Sequence, residues 1–148
     1  MSDDDLKASQ GQRLIQSGVT LFLLGLLTGF AVPALQNPRM GLSSHLEGIM
    51  NGFMLILFGL IWPRLALKKN WLSMGFWLAL YSAFANWLAT LFAAIWGAGE
   101  LMSIAGGRRG SAAQELIING LLYSLSLTLV IVCVILLVGL ARTNRNRS

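Results

Sequence analysis

Few side chains in this sequence can do chemistry, and they gather in one stretch. His45 is the only histidine of the chain. Glu47 stands two residues after it and Asn51 six residues after it, inside a segment that is otherwise glycine and large apolar residues. Further along, Asn86 interrupts a second apolar segment, and Asn119 and Tyr123 interrupt a third. An imidazole can ligate one metal ion or carry a proton, amides orient a polar ligand, and a carboxylate or phenol can relay a proton. Ser44 and Glu47 have the S-x-x-E spacing of a capping box, which predicts Ser44 as N-cap and His45 as first helical residue. Gly48, Gly52 and Gly59 then recur along one side and predict a groove beside His45.

Several chemistries are excluded by what is missing. A structural zinc site needs about four nitrogen or sulfur donors, and one His with one distant Cys, Cys133, does not supply them within a subunit. No acid and serine stand at readable spacing to His45 for a nucleophilic triad. The Gly106–Ser111 run GGRRGS lacks the G-x-x-x-x-G-K-[ST] spacing of a phosphate loop. It reads as a flexible loop that shields the mouth of the pocket.

These residues sit in elements that cross a membrane. The chain has 148 residues, 55% hydrophobic and 11% charged. Its apolar blocks, near 14–34, 46–66, 71–96 and 115–140, each reach the roughly 20 residues needed to span a hydrocarbon core. The prediction is an all-α, integral membrane four-helix bundle in one domain, residues 1–148, with polar tails at 1–12 and 142–148. Cys133 is a small lipid- or core-facing residue. Gly25 and Gly29 have small-xxx-small spacing for close helix approach, and Trp62 suits an interfacial aromatic belt.

The basic pI, about 10.2, does not signal nucleic acid, because the cations lie in loops and tails without a basic stripe. Lys7, Arg13, Arg64, Lys68, Lys69, Arg142, Arg145 and Arg147 fall on one side, and Arg39, Arg108 and Arg109 on the other. Cation-rich loops face the cytoplasm. Both termini are therefore expected inside, in a bacterial-type inner membrane, with His45 near the outer end of the second span.

With about 1.5 Å rise per residue, Asn51 lies roughly 9 Å below His45, and Asn86, Thr90, Asn119 and Tyr123 fall at similar depth. Such amides are either interhelical glue or the wall of a pocket, since polar groups in a membrane tend to mark sites. Haem is compatible with this set, because its iron needs only one strong protein ligand and its face suits an apolar groove. A single His per chain leaves open an electron carrier completed by a second subunit or methionine, or an iron with a vacant position that acts as a Lewis acid. A multidrug-type transporter would carry a membrane-embedded acid in its first span, and the block 14–34 has none.

The run NPRMGLSSHLEGIMNG from Asn37 to Gly52, followed by LIWPRL from Leu60 to Leu65, resembles the hydroxylaminobenzene mutase family. That family is similar to the styrene oxide isomerases through a His, five residues and Asn-Gly, here His45, Asn51 and Gly52, and through Ala85-Asn86. The resemblance implies a membrane isomerase that rearranges an arylhydroxylamine to an aminophenol. It implies haem b with His45 as the iron ligand, Gly48 and Gly52 beside the cofactor, and a homotrimer with haem near subunit contacts. Asn51 and Asn86 would bind a small aromatic substrate, and Tyr123 or Glu47 would relay a proton. Ser82 and Thr90 stand where the isomerases have a carboxylate and a tyrosine, which favours mutase over epoxide chemistry.

Overall fold

The computed structural model describes residues 2–145 and consists of four long helices: α1 (Asp3–Ala31), α2 (Pro38–Ile61), α3 (Lys69–Trp96) and α4 (Ala112–Arg145). No strand occurs among the described residues. All four helices are long and apolar enough to cross a bilayer. The expected all-α four-helix membrane bundle is therefore found, and the protein is a multi-pass membrane protein. The helical pattern runs through Leu6 in the polar N-terminal segment and on to Arg145 in the C-terminal one. Arg147, counted among the expected inner cations, lies outside the described residues.

Helix boundaries follow local chemistry. A capping box does form, but at Ser2 and Asp5. The Asp5 amide donates to Ser2 Oγ at 3.1 Å, and the Ser2 amide donates to Asp5 Oδ2 at 3.0 Å. The expected box at Ser44 and Glu47 does not exist. Asn37 is the N-cap of α2 and Pro38 opens it, a position where the missing proline N–H costs nothing. His45 is therefore two turns inside the helix. Ser44, mid-helix and fully buried, donates from Oγ to the Trp87 carbonyl at 3.2 Å. At the end of α3, Gly97 adopts the left-handed conformation, φ +64°, which glycine reaches without a Cβ penalty.

Consecutive helices pack on one another, with α2 and α3 central. The seam between α1 and α2 is a column of paired glycines. A Cβ on Gly11 would lie 2.8 Å from the Gly59 carbonyl oxygen, one on Gly18 2.6 Å from that of Gly52, and one on Gly25 2.9 Å from Gly48 Cα. Within lipid there is little hydrophobic drive between helices, so close van der Waals approach of this kind carries association. Gly48 and Gly52 are thus closed against α1, correcting the expectation that they line an open groove beside a cofactor. Leu14, Leu21, Leu55, Leu72 and Val132 fill the core completely. Leu116 and Leu137 point outward, more than two-thirds exposed, as lipid-facing positions do.

Trp62 also departs from expectation. It is fully buried, and its indole N–H donates to Gln10 Oε1 at 3.0 Å. A buried indole needs an acceptor, and Gln10 on α1 provides it while its amide reaches Ser73 on α3 at 3.4 Å.

Candidate functional site

Two polar centres lie on different sides of α2. On the side toward α1, His45 Nδ1 is 2.8 Å from the Gly25 carbonyl oxygen. A carbonyl can only accept, so Nδ1 is the donor, and Nε2 is the nitrogen left outside that bond. The ring rests on Gly29, where a Cβ would come within 2.7 Å of Nδ1. An open groove of about 490 Å³ adjoins the imidazole, lined by Leu26, Gly29, Phe30, Val32, Pro33 and Leu42. An imidazole with one nitrogen fixed by a backbone carbonyl and the other free is the usual arrangement of a metal-ligating histidine. The groove is apolar and bounded partly by glycine, which suits a flat hydrophobic ring system. These residues fit a haem held by one histidine, and the glycine that lies against the imidazole is Gly29, not Gly48 or Gly52.

On the side toward α3, three expected residues meet. Asn51 Nδ2 donates to Glu47 Oε2 at 3.0 Å and to the Glu47 backbone carbonyl at 2.8 Å. Asn86 Nδ2, from α3, donates to the same Oε2 at 2.6 Å. Glu47 is therefore the hub of the cluster and not half of a capping box. His45 and Glu47 are two residues apart, about 200° around the helix, so the imidazole and the amides do not share one pocket within a single chain.

The remaining candidates sit elsewhere. Tyr123 is 69% exposed on α4, so of the two expected proton relays, Tyr123 and Glu47, the tyrosine is not placed at either centre. Asn119 is partly buried, with Oδ1 sealed and unpartnered among the described residues. Thr90 and Ser82 are buried, and their hydroxyls donate to carbonyls of their own helix, Thr90 to Asn86 and Trp87 and Ser82 to Ala79. Cys133 is exposed.

Sequence reasoning missed two supports. Trp87 donates from its indole to Thr28 Oγ1 at 3.2 Å, tying α3 to α1 behind α2. The connection between α3 and α4, whose Gly106–Ser111 run was expected to be flexible, is pinned by the buried Glu115. That carboxylate accepts from the backbone amides of Gly99 at 2.9 Å, Glu100 at 3.0 Å and Gly110 at 2.8 Å. Arg108 donates to the Gln36 carbonyl at 2.7 Å, and Asn37 Nδ2 to that of Ala105 at 3.1 Å. The loop is thereby fastened over the start of α2. Glu115 was legible only as the first residue of a span; three glycine-rich loop amides seeking an acceptor were the available signal.

Comparison with known proteins gives the family. Residues 10–141 match the family described as styrene oxide isomerase. Hydroxylaminobenzene mutase HabB of Ectopseudomonas oleovorans is 51% identical over 143 residues, covering 95% of this chain and 87% of the relative. Hydroxylaminobenzene mutase HabA of the same organism is 45% identical over 131 residues, covering 87% of this chain and 97% of the relative. No solved structure matches. With a family match across nearly the whole chain and two mutases this similar, the protein is an enzyme of the isomerase class and belongs to the styrene oxide isomerase family.

Proposed function

We propose that the protein is a membrane mutase that rearranges an arylhydroxylamine, such as hydroxylaminobenzene, to an aminophenol with the help of haem b. The observation that carries this reading is the His45 pair with the Gly25 carbonyl at 2.8 Å, beside an apolar groove. His45 Nε2 would hold the iron, with Leu26, Phe30 and Leu42 against the porphyrin face. Bound there, ferric haem would supply a Lewis acid for the substrate oxygen.

The chain's own residues account for the rest of the reaction. In the overall change the N–O bond breaks, a ring C–O bond forms, and the displaced ring proton ends on nitrogen. No oxidant, reductant or second substrate is consumed. Asn51 and Asn86 orient the hydroxylamine, and the apolar walls keep water from a nitrenium-like species. The substrate is small, aromatic and membrane-soluble, so it enters from the bilayer.

His45 and the amides face different sides of α2, and a homotrimer would set the imidazole groove of one copy against the amide cluster of the next. The excess of cations at the ends of α1 and α4 and between α2 and α3 supports cytoplasmic termini in a bacterial inner membrane. A second reading, epoxide-to-aldehyde rearrangement, is favoured by the family match. Against it, Ser82 and Thr90 direct their hydroxyls to backbone carbonyls, leaving no acid at those positions to open an epoxide.

The test is an absorption spectrum of detergent-purified protein beside His45→Ala, followed by incubation with hydroxylaminobenzene and, separately, styrene oxide. A Soret band in the parent that is lost in the variant, with aminophenol formed only by the parent, is the expected result. Colourless parent protein from haem-replete cells would sink the cofactor. Aldehyde from styrene oxide without aminophenol would put the epoxide reading in its place.

A further inference from the structure

We propose that Glu47 is the positioning residue that turns the amides of Asn51 and Asn86 so that both oxygens face the ligand, making the site selective for a ligand with two hydrogen-bond donors. This rests on the mutase reading above for the identity of that ligand, the N–H and O–H of an N-hydroxyarylamine.

The Glu47 carboxyl acts here as an acceptor. Both amide nitrogens converge on Glu47 Oε2, from Asn51 at 3.0 Å and from Asn86 at 2.6 Å. Asn51 also donates to the Glu47 backbone carbonyl at 2.8 Å, so its nitrogen is engaged twice. A planar amide whose nitrogen is held in this way must present its oxygen in the opposite direction. Neither Oδ1 accepts a hydrogen bond among the described residues. The only buried side-chain oxygen or nitrogen sealed without a partner there is Asn119 Oδ1. The oxygens of Asn51 and Asn86 are therefore neither sealed nor engaged by another group of the described residues, although Asn51 is only 6% exposed.

The neighbouring hydroxyls supply no donor. Thr90 and Ser82, on the same helix as Asn86, direct their hydrogens to the backbone. The polar wall thus offers two fixed acceptors, contributed by two helices. Such a wall recognises a molecule that brings donors and gives nothing to an ether or epoxide, which has none. Leaving a buried acceptor unpaired is the costly side of this discrimination.

Replacing Glu47 with Leu removes the acceptor that both amide nitrogens share. Neither nitrogen is then held by a side chain, and the Asn86 amide is free to turn. One acceptor is then withdrawn from the ligand.

The experiment measures binding, by ligand-induced shift of the melting temperature converted to Kd, of hydroxylaminobenzene and of its O-methyl ether. The ether keeps the N–H and lacks the O–H. It uses the full chain in detergent as parent, Glu47→Leu and Asn86→Ala, with KM and kcat for the hydroxylamine recorded alongside. The parent is expected to prefer the hydroxylamine by about tenfold, the value of one hydrogen bond. Both variants are expected to compress that preference to within about threefold, with KM rising more than kcat falls.

A preference that survives unchanged in either variant overturns the proposal. So does loss of kcat in Glu47→Leu with the preference intact, which would assign Glu47 to proton transfer. Asn86→Ala leaves the Glu47–Asn51 pair within α2 and carries the test if Glu47→Leu does not fold. If the parent binds with the expected preference but forms no aminophenol, the mutase reading falls and the positioning role stands.

Discussion

Substituting Gly29 by alanine reaches the imidazole without touching it chemically. An added Cβ would stand 2.7 Å from His45 Nδ1, 3.0 Å from Cε1 and 3.3 Å from Cγ. Ordinary non-bonded contact begins near about 3.5 Å, so the ring must withdraw by about 0.8 Å. The bond it makes to the Gly25 carbonyl is 2.8 Å long, and N–H···O bonds weaken beyond about 3.2 Å. A shift of that size breaks it, removing about 1 kcal/mol and releasing the ring from its aim. Loss of the group that orients a ligating histidine lowers metal affinity about 10- to 100-fold. The assay is transfer of haem from the detergent-purified protein to an excess of an apoprotein acceptor, followed by decay of the Soret band. Gly29→Ala should lose haem about 10 to 100 times faster than the parent while its helical circular dichroism is unchanged. Equal rates would refute both the orienting role of Gly25 and the placement of the cofactor against Gly29.

Two other perturbations separate structure from site. Glu115→Gln removes a carboxylate that accepts three backbone amides. Charge-assisted bonds contribute about 1.5–3 kcal/mol each, so the 97–111 loop should be cut by trypsin at Arg108 or Arg109 at least about tenfold faster, with α1 to α3 intact; unchanged cleavage would remove Glu115 from that role. Tyr123→Phe should leave kcat and KM within about twofold, because the phenol is 69% exposed; a tenfold fall in kcat would restore it as a relay.

Span number and class were legible because apolar blocks of membrane length, broken by charged or glycine- and proline-rich connections, leave little else for the chain to do. The start of α2 was misread because two capping signals compete there. The S-x-x-E at Ser44 lies seven residues past Asn37-Pro38, where a proline at the first helical position is the stronger local constraint. Glu47 and Asn51 are four residues apart, and their pairing follows from helical spacing alone. Asn86 joins them only through the packing of α3 on α2, which no local pattern encodes. Gly48 and Gly52 were visible as a small-residue stripe, but whether such a stripe receives a ligand or another helix depends on its partner, here Gly25 and Gly18. Trp62 was placed at the interface by residue type. Gln10 drew it inward by offering the acceptor that its N–H requires inside a membrane protein.

The column of Gly11, Gly18 and Gly25 against Gly59, Gly52 and Gly48 joins main chain to main chain at three levels. Backbone meets backbone at each level, so the spacing of α1 and α2 is set chiefly by main chain. The carbonyl that holds the imidazole belongs to one of these helices, and the imidazole itself to the other. Its aim is set by peptide geometry and not by the shuffling of neighbouring side chains. Sequence drift on the lipid-facing surface can therefore refit the protein to a different bilayer while the bearing of His45 stays where it is.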